Sequence, residues 1–212
     1  MRDRLSLLQR ELLEGFFESA SEFFLTGGAA LAGFYLGHRT TEDLDLFVHE
    51  ASLDEGVSAL RSVADRLGAS LEGLRTSPSF RRFLVRRGGE GVVVDLVHDP
   101  VPSCAPQRWF GRIRVDAPEE IFANKLCTLL SRAEIRDLVD VRALEAAGYD
   151  LQEALAIATR KDAGLTPGQL AWVLSEVELG EDANVPGGCT VEELREFLAG
   201  FLARLERLAL PE

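Results

Sequence analysis

The chain has 212 residues, 46% of them hydrophobic, and a formal net charge of −12. That length fits one large domain, or a domain with a small helical appendage, and the hydrophobic share is enough for a sizeable core, which excludes a disordered chain. The acidic balance opposes general wrapping of nucleic acid, although a local basic cleft stays open to it.

No apolar run approaches the roughly 18 residues of a membrane span. The start, Met1-Arg2-Asp3-Arg4, lacks the apolar core of a signal peptide. Cys104, Cys127 and Cys189 form no C-x-x-C pair, which argues against a disulfide framework and against a zinc site. Cytoplasmic residence without a membrane partner is the expectation. The basic residues are almost all arginine, and Lys125 and Lys161 are the only lysines. Arginine and lysine are not interchangeable at phosphate sites, so an isolated lysine is singled out.

In chain order, the apolar spacing of Leu5, Leu8, Leu12, Leu13, Phe16 and Phe17 predicts a helix over 4–19. A strand over 22–26, a turn at Gly27-Gly28 and a helix over 29–36 ended by Gly37 follow. The next strand covers 44–49. Ser52-Leu53-Asp54-Glu55 reads as a capping box opening a helix closed by Gly68. Strands are expected over 70–76, 80–87 and 92–97, with Gly88-Gly89-Glu90-Gly91 as a hairpin signal between the last two. Residues 99–117 read as a proline-containing connection with an edge strand at 112–115.

From Pro118 the pattern is helical. One helix runs to about 131 and carries Lys125; a second, over 134–147, carries Arg136, Asp137 and Asp140. Asp150-x-x-Glu153, Thr166-Pro167-x-Gln169 and Thr190-x-x-Glu193 read as further capping boxes, with a loop at Pro186-Gly187-Gly188. The composition shift predicts an α/β half over 1–116 and a helical half over 117–212.

The chemistry gathers on a few residues. Asp43 and Asp45 sit two apart on a predicted strand, so their side chains share a face. Paired carboxylates repel, and a cation relieves them. The glycine turn stands where a helix begins, a place that attracts phosphate. Asp95 lies inside the apolar run Val92–Val97, where an acid without partner or metal is costly. Three such carboxylates suit a two-metal phosphoryl-transfer site taking Mg²⁺ or Mn²⁺ with a nucleoside triphosphate. Plainer readings stand beside each. Asp43 and Asp45 could be solvent-facing acids. Arg39 could pair with Glu42 or Asp43 instead of a phosphate. Lys125 could belong to a solvated helix face. Arg136 and Asp140 could pair on a helix surface. Arg75, Arg81, Arg82, Arg86 and Arg87 could guard an edge strand or track RNA phosphates. His38, His49 and His98 lack a ligand pattern and read as structural or exposed.

The stretch Thr26-Gly27-Gly28-x-Ala30-Leu31, then His38-Arg39-x-Thr41-x-Asp43-Leu44-Asp45-Leu46-Phe47, resembles the signature of the DNA polymerase β-like nucleotidyltransferase superfamily. With the Lys125 helix and Arg136-Asp137-x-x-Asp140 added, it is similar more narrowly to the AbiEii/AbiGii-type toxins of type IV abortive-infection and toxin–antitoxin systems. The resemblance implies a nucleotidyltransferase fold, a mixed β-sheet flanked by helices with a helical C-terminal part. It implies Mg²⁺-dependent transfer of a nucleoside monophosphate from an NTP to an acceptor hydroxyl, on RNA such as tRNA, with a cognate antitoxin as partner. It assigns metal binding and catalysis to Asp43, Asp45 and Asp95, and nucleotide binding to Thr26, Gly27, Gly28, Arg39, Lys125, Arg136, Asp137 and Asp140. A small cationic acceptor of the aminoglycoside kind, a protein hydroxyl, or a catalytically silent nucleotide-binding module are the alternatives on the same fold.

Overall fold

In the computed structural model, which describes residues 4–210, the first helix, α1 (Leu7–Phe16), starts at a reciprocal cap. The Gln9 amide N–H donates to Ser6 Oγ at 3.1 Å, and the Ser6 N–H donates to Gln9 Oε1 at 2.8 Å. Gln9 also donates through Nε2 to the Thr41 carbonyl at 2.9 Å, which pins the loop ahead of Asp43 to the helix start. Gln9 is buried, and these bonds satisfy its side-chain amide.

Strand β1 (Phe24–Thr26) runs into helix α2 (Gly27–Ala30), which continues as a π-helical turn (Leu31–Tyr35). The helix therefore begins at the first glycine, two residues earlier than the spacing predicts. Its wide last turn is closed by the Leu36 N–H on the Leu31 carbonyl at 2.7 Å. Strand β2 (Asp43–Val48) follows, then α3 (Leu53–Arg66), β3 (Ser70–Ser77), β4 (Phe80–Arg87), β5 (Glu90–His98), β6 (Arg108–Phe110) and β7 (Ile113–Val115).

The seven strands make one mixed sheet in the order β3-β4-β5-β2-β1-β7-β6. β2 is central, antiparallel to β1 and parallel to β5. Two edge expectations change. The strand at 113–115 is interior, parallel to β1 on one side and covered on the other by β6, which lies within the stretch expected to be a connection. β4, which carries four of the five strip arginines, is interior too, so guarding an edge is left to β3.

Alternation in β2 sets the two sheet faces. Leu44, Leu46 and Val48 are buried on one face together with Leu25, Val92, Val94 and Leu96. Helices α1 and α3 pack against that side. Gly56 of α3 lies where a Cβ would press into Phe23 and Leu96, so the helix lies close on the sheet. Asp43, Asp45 and Asp95 are thereby forced to the opposite face.

The chain divides into two compact units, Met1–Ala117 and Pro118–Glu212. The second is helical: α4 (Pro118–Arg132), α5 (Ile135–Ala146), α6 (Leu151–Lys161), α7 (Pro167–Ser175) and α8 (Val191–Ala209). α4 packs on α5, α6 and α7 through Ile121, Phe122, Leu126 and Leu129, all fully buried. Thr190 makes the predicted capping box with Glu193, whereas Ser52, Asp150 and Thr166 cap through their own side chains. Pro186–Gly188 is a short 3₁₀ turn. Among the described residues no helix is long and apolar enough to cross a membrane.

Candidate active site

One row of residues crosses the sheet. Thr26 lies opposite Asp45 in the β1–β2 pair, Asp45 is level with Asp95 in the parallel β2–β5 pair, and Asp95 lies opposite Arg82 in the β5–β4 hairpin. Residues directly opposed on neighbouring strands share a face, so all four side chains emerge together. Asp43, two residues before Asp45, adds a third carboxylate to the same face. Thr26 and Asp95 are buried, and Asp43 and Asp45 are half-buried.

The glycine turn closes on this row. Gly27 has φ +68°, a left-handed conformation that glycine tolerates and other residues resist. A Cβ there would overlap Asp45 Oδ2. A Cβ on Gly28 would overlap the Arg39 guanidinium. Each glycine thus makes room for one charged group, and the turn carries Asp45 on one side and Arg39 on the other. Arg39 is buried and donates through Nη1 to the Thr40 carbonyl at 3.1 Å. Thr41 Oγ1 donates to Asp43 Oδ1 at 2.6 Å, which fixes that carboxylate from the loop pinned by Gln9.

Arg82 is the member the sequence reading missed as a site residue. Its Nε donates to Asp95 Oδ1 at 2.8 Å and its Nη2 to Asp95 Oδ2 at 2.6 Å, a two-pronged pair. The guanidinium lies 5.4 Å from the ring centre of Phe80, two residues earlier on the same strand face. The hydrogen bonds to Asp95 raise the Arg82 pKa. Burial opposes this, and the charges of Asp95, Asp45 and Asp43 add to it in that order. All three carboxylates therefore act on one fixed cation. The rest of the arginine strip is dispersed: Arg86 pairs with Glu72 at 3.5 Å, Arg87 with Glu11, and Arg75 stacks on Phe80.

Two half-buried carboxylates with oxygen donors suit a hard divalent cation, which commonly keeps several waters and takes one or two protein carboxylates. Asp43 and Asp45 meet that description. Among the described residues no three acidic, histidine or cysteine side chains converge on one point as a ligand set. His49 stands outside the row, its ring nitrogens 2.9 Å from the Asp99 carbonyl and 3.1 Å from Ser103 Oγ.

The second unit holds its own charged cluster. Lys125 Nζ on α4 lies 2.6 Å from Asp137 Oδ1 and 2.6 Å from Asp140 Oδ2 on α5. Both carboxylates are fully buried and Lys125 nearly so, which rules out the solvated-face reading. Burial pushes the lysine pKa down, but Asp140 and Asp137 outweigh it and leave it above the ordinary value. Arg132 also donates to Asp137 Oδ2 at 3.2 Å, a contact the sequence reading did not foresee. Arg136 turns to Glu134, Nε to Oε2 at 2.7 Å. The other lysine, Lys161, is likewise spent internally, on buried Glu120 and on Asn124.

No curated protein sequence matches the chain. Two solved structures from Helicobacter pylori share its fold. JHP933 superposes with a TM-score of 0.63 at 19% identity, over 94% of this chain and 89% of that one. A second protein, provisionally described as a nucleotidyltransferase, gives a TM-score of 0.57 at 19% identity over 96% of both chains. The sequence profile described as nucleotidyl transferase AbiEii toxin, type IV TA system, matches residues 11–207. That span takes in the glycine turn, the carboxylate row and the Lys125 cluster alike, and by it the chain belongs to the AbiEii family of nucleotidyltransferase toxins.

Proposed function

We propose that the chain transfers a nucleoside monophosphate from an NTP to a hydroxyl of an RNA acceptor such as tRNA, as a toxin answered by a cognate antitoxin. The observation that carries this reading is the packing of Gly27 against Asp45. It sets the glycine turn at a helix start directly beside a carboxylate pair fit for Mg²⁺ or Mn²⁺. In the transfer the acceptor oxygen attacks the α-phosphorus, the bond to the bridging oxygen of the β-phosphate breaks, pyrophosphate leaves with that oxygen, and the acceptor's proton passes to water. A divalent ion, when bound, neutralises the phosphate charge and lowers the pKa of the acceptor hydroxyl. Asp43 and Asp45 would hold that ion, and Thr41 orients Asp43. The Gly27-Gly28 turn at the helix start would offer backbone amides to the triphosphate, with Arg39 packed against Gly28 as a fixed positive charge.

The test is incubation of the purified chain with labelled NTPs, Mg²⁺ and total tRNA. Label moves to RNA with the wild type and fails to move with Asp43→Ala. Equal transfer by both proteins would sink the reading. The net charge of −12 favours a second arm with cationic aminoglycosides as acceptors. A third arm takes protein substrates. NTP binding by calorimetry without turnover on any acceptor would instead support a silent nucleotide-binding module.

A further inference from the structure

We propose that Arg82 is a built-in counter-cation that takes one of the metal positions a three-carboxylate site would otherwise fill, so that Asp95 is a positioning residue and the metal is held by Asp43 and Asp45 alone. This rests on the nucleotidyl-transfer reading above and narrows it to one protein-held ion.

Four observations converge. Both Asp95 oxygens are engaged by Arg82, at 2.8 and 2.6 Å, in a side-on pair that offsets the carboxylate charge a metal would otherwise need. The Asp95 side chain is only 7% exposed, so an ion would have to displace the guanidinium to reach it. Arg82 is 45% exposed, but it is held in place: the hairpin register puts it opposite Asp95, and its guanidinium stacks on Phe80. Finally, Asp95 is level with Asp45, so the charge that Arg82 neutralises is the one that would repel Asp45 most directly. An arginine cannot discharge by losing its proton at any ordinary pH, so the arrangement is permanent rather than conditional. To bind metal through its remaining lone pairs, Asp95 would have to hold a dication directly beside a guanidinium.

The decisive variant removes both charges at once. Asp95→Asn alone strips a negative charge and leaves Arg82 unmatched, so metal binding weakens whether or not Asp95 is a ligand. In Arg82→Gln/Asp95→Asn the pair stays neutral, as in the wild type. Mn²⁺ binding is counted by electron paramagnetic resonance on the full chain, with metal alone and again with a non-hydrolysable NTP analogue, after circular dichroism has verified the fold. The double variant is expected to keep the wild-type number of protein-bound ions, with affinity changed by less than about tenfold, whereas Asp45→Asn weakens binding by more than about tenfold. Arg82→Gln alone bares a third carboxylate, and it is expected to gain an ion or to bind Mn²⁺ at least about tenfold tighter. Loss of metal from the folded double variant to the extent seen with Asp45→Asn overturns the proposal. If the double variant does not fold, an unchanged ion count and affinity in Arg82→Gln overturns it instead. Failure of the wild type to bind Mn²⁺ in either condition would defeat the metal-dependent reading itself, a result distinct from wild-type binding that depends on Asp95.

Discussion

Gly27 stands so close to Asp45 that a single methyl group would occupy the space of the Oδ2 oxygen. The same residue holds φ at +68°. Backbone conformation and carboxylate position are therefore one constraint, and a substitution at Gly27 violates both. Gly27→Ala is expected to cost about 1–2 kcal/mol of stability from the left-handed backbone. It is also expected to cut nucleotidyl transfer by about 100-fold, because the Asp45 carboxylate must retreat by about 1 Å and a misplacement of that size at a reacting centre is expensive. Thermal melts and initial rates on one preparation test this. Full activity with a lowered melting point would mean that Asp45 is not held by the turn.

Thr41 offers a gentler test of the same site. Its hydroxyl donates to Asp43 Oδ1 at 2.6 Å, from a loop that Gln9 ties to α1. Thr41→Val keeps the shape and removes the donor. The Mg²⁺ concentration for half-maximal transfer is expected to rise about tenfold, as for other groups that orient a metal ligand, while Thr41→Ser restores it. An unchanged metal requirement would count against Asp43 as a ligand.

The residues that make the site were unequally visible in the sequence. β2 was legible because strict alternation puts Leu44, Leu46 and Val48 on one face and the two aspartates on the other. Lys125, Asp137 and Asp140 were visible as residues but not as a cluster, since a 3.6-residue period says which face a lysine is on and not that another helix will cover it. Strand β6 has three residues, too short for any period to register, and without it β7, expected at 112–115, reads as an edge instead of an interior strand. Arg82 was within reach. A two-residue Gly88-Gly89 turn pairs Arg87 with Glu90, and counting back along both strands brings Arg82 opposite Asp95. The hairpin signal was in the sequence; the register it dictates identifies the partner of the buried acid. The close approaches of Gly27 to Asp45 and Gly28 to Arg39 had no such signal, because they depend on the antiparallel β1–β2 register bringing distant segments together.

The cap at the start of α1 lies remote from chemistry in sequence yet supports it. Ser6→Ala removes the acceptor for the Gln9 amide and is expected to destabilise the fold by about 1 kcal/mol. It also loosens the side chain that holds the Thr41 carbonyl. Chemical denaturation gives the first effect, and faster amide hydrogen exchange over 38–43 reports the second. Exchange unchanged in that loop would show that Gln9 holds Thr41 without help from the cap.

Lys125 raises the sharpest question about the second unit, because its ammonium charge is already opposed by two fully buried carboxylates. Lys125→Met strands Asp137 with Arg132 and takes from Asp140 its 2.6 Å ammonium partner. Breaking a buried pair by removing one side costs about 3–5 kcal/mol, and a loss of that size is expected in denaturant titrations at pH 7. The pH dependence follows from the raised lysine pKa. Burial lowers it, Asp140 and Asp137 more than reverse the effect, and the folded value lies above the ordinary 10.5. A group whose pKa is higher in the folded state contributes its full stabilisation below the unfolded pKa and loses it as pH rises through the folded one. The stability gap between the wild type and Lys125→Met is therefore expected to stay constant from pH 7 to about 10 and to narrow only above the ordinary lysine range. A gap that already closes between pH 7 and 9 would mean that burial, and not the two aspartates, governs this lysine. It would then be a cation poised to change its charge state instead of a fixed strut between α4 and α5.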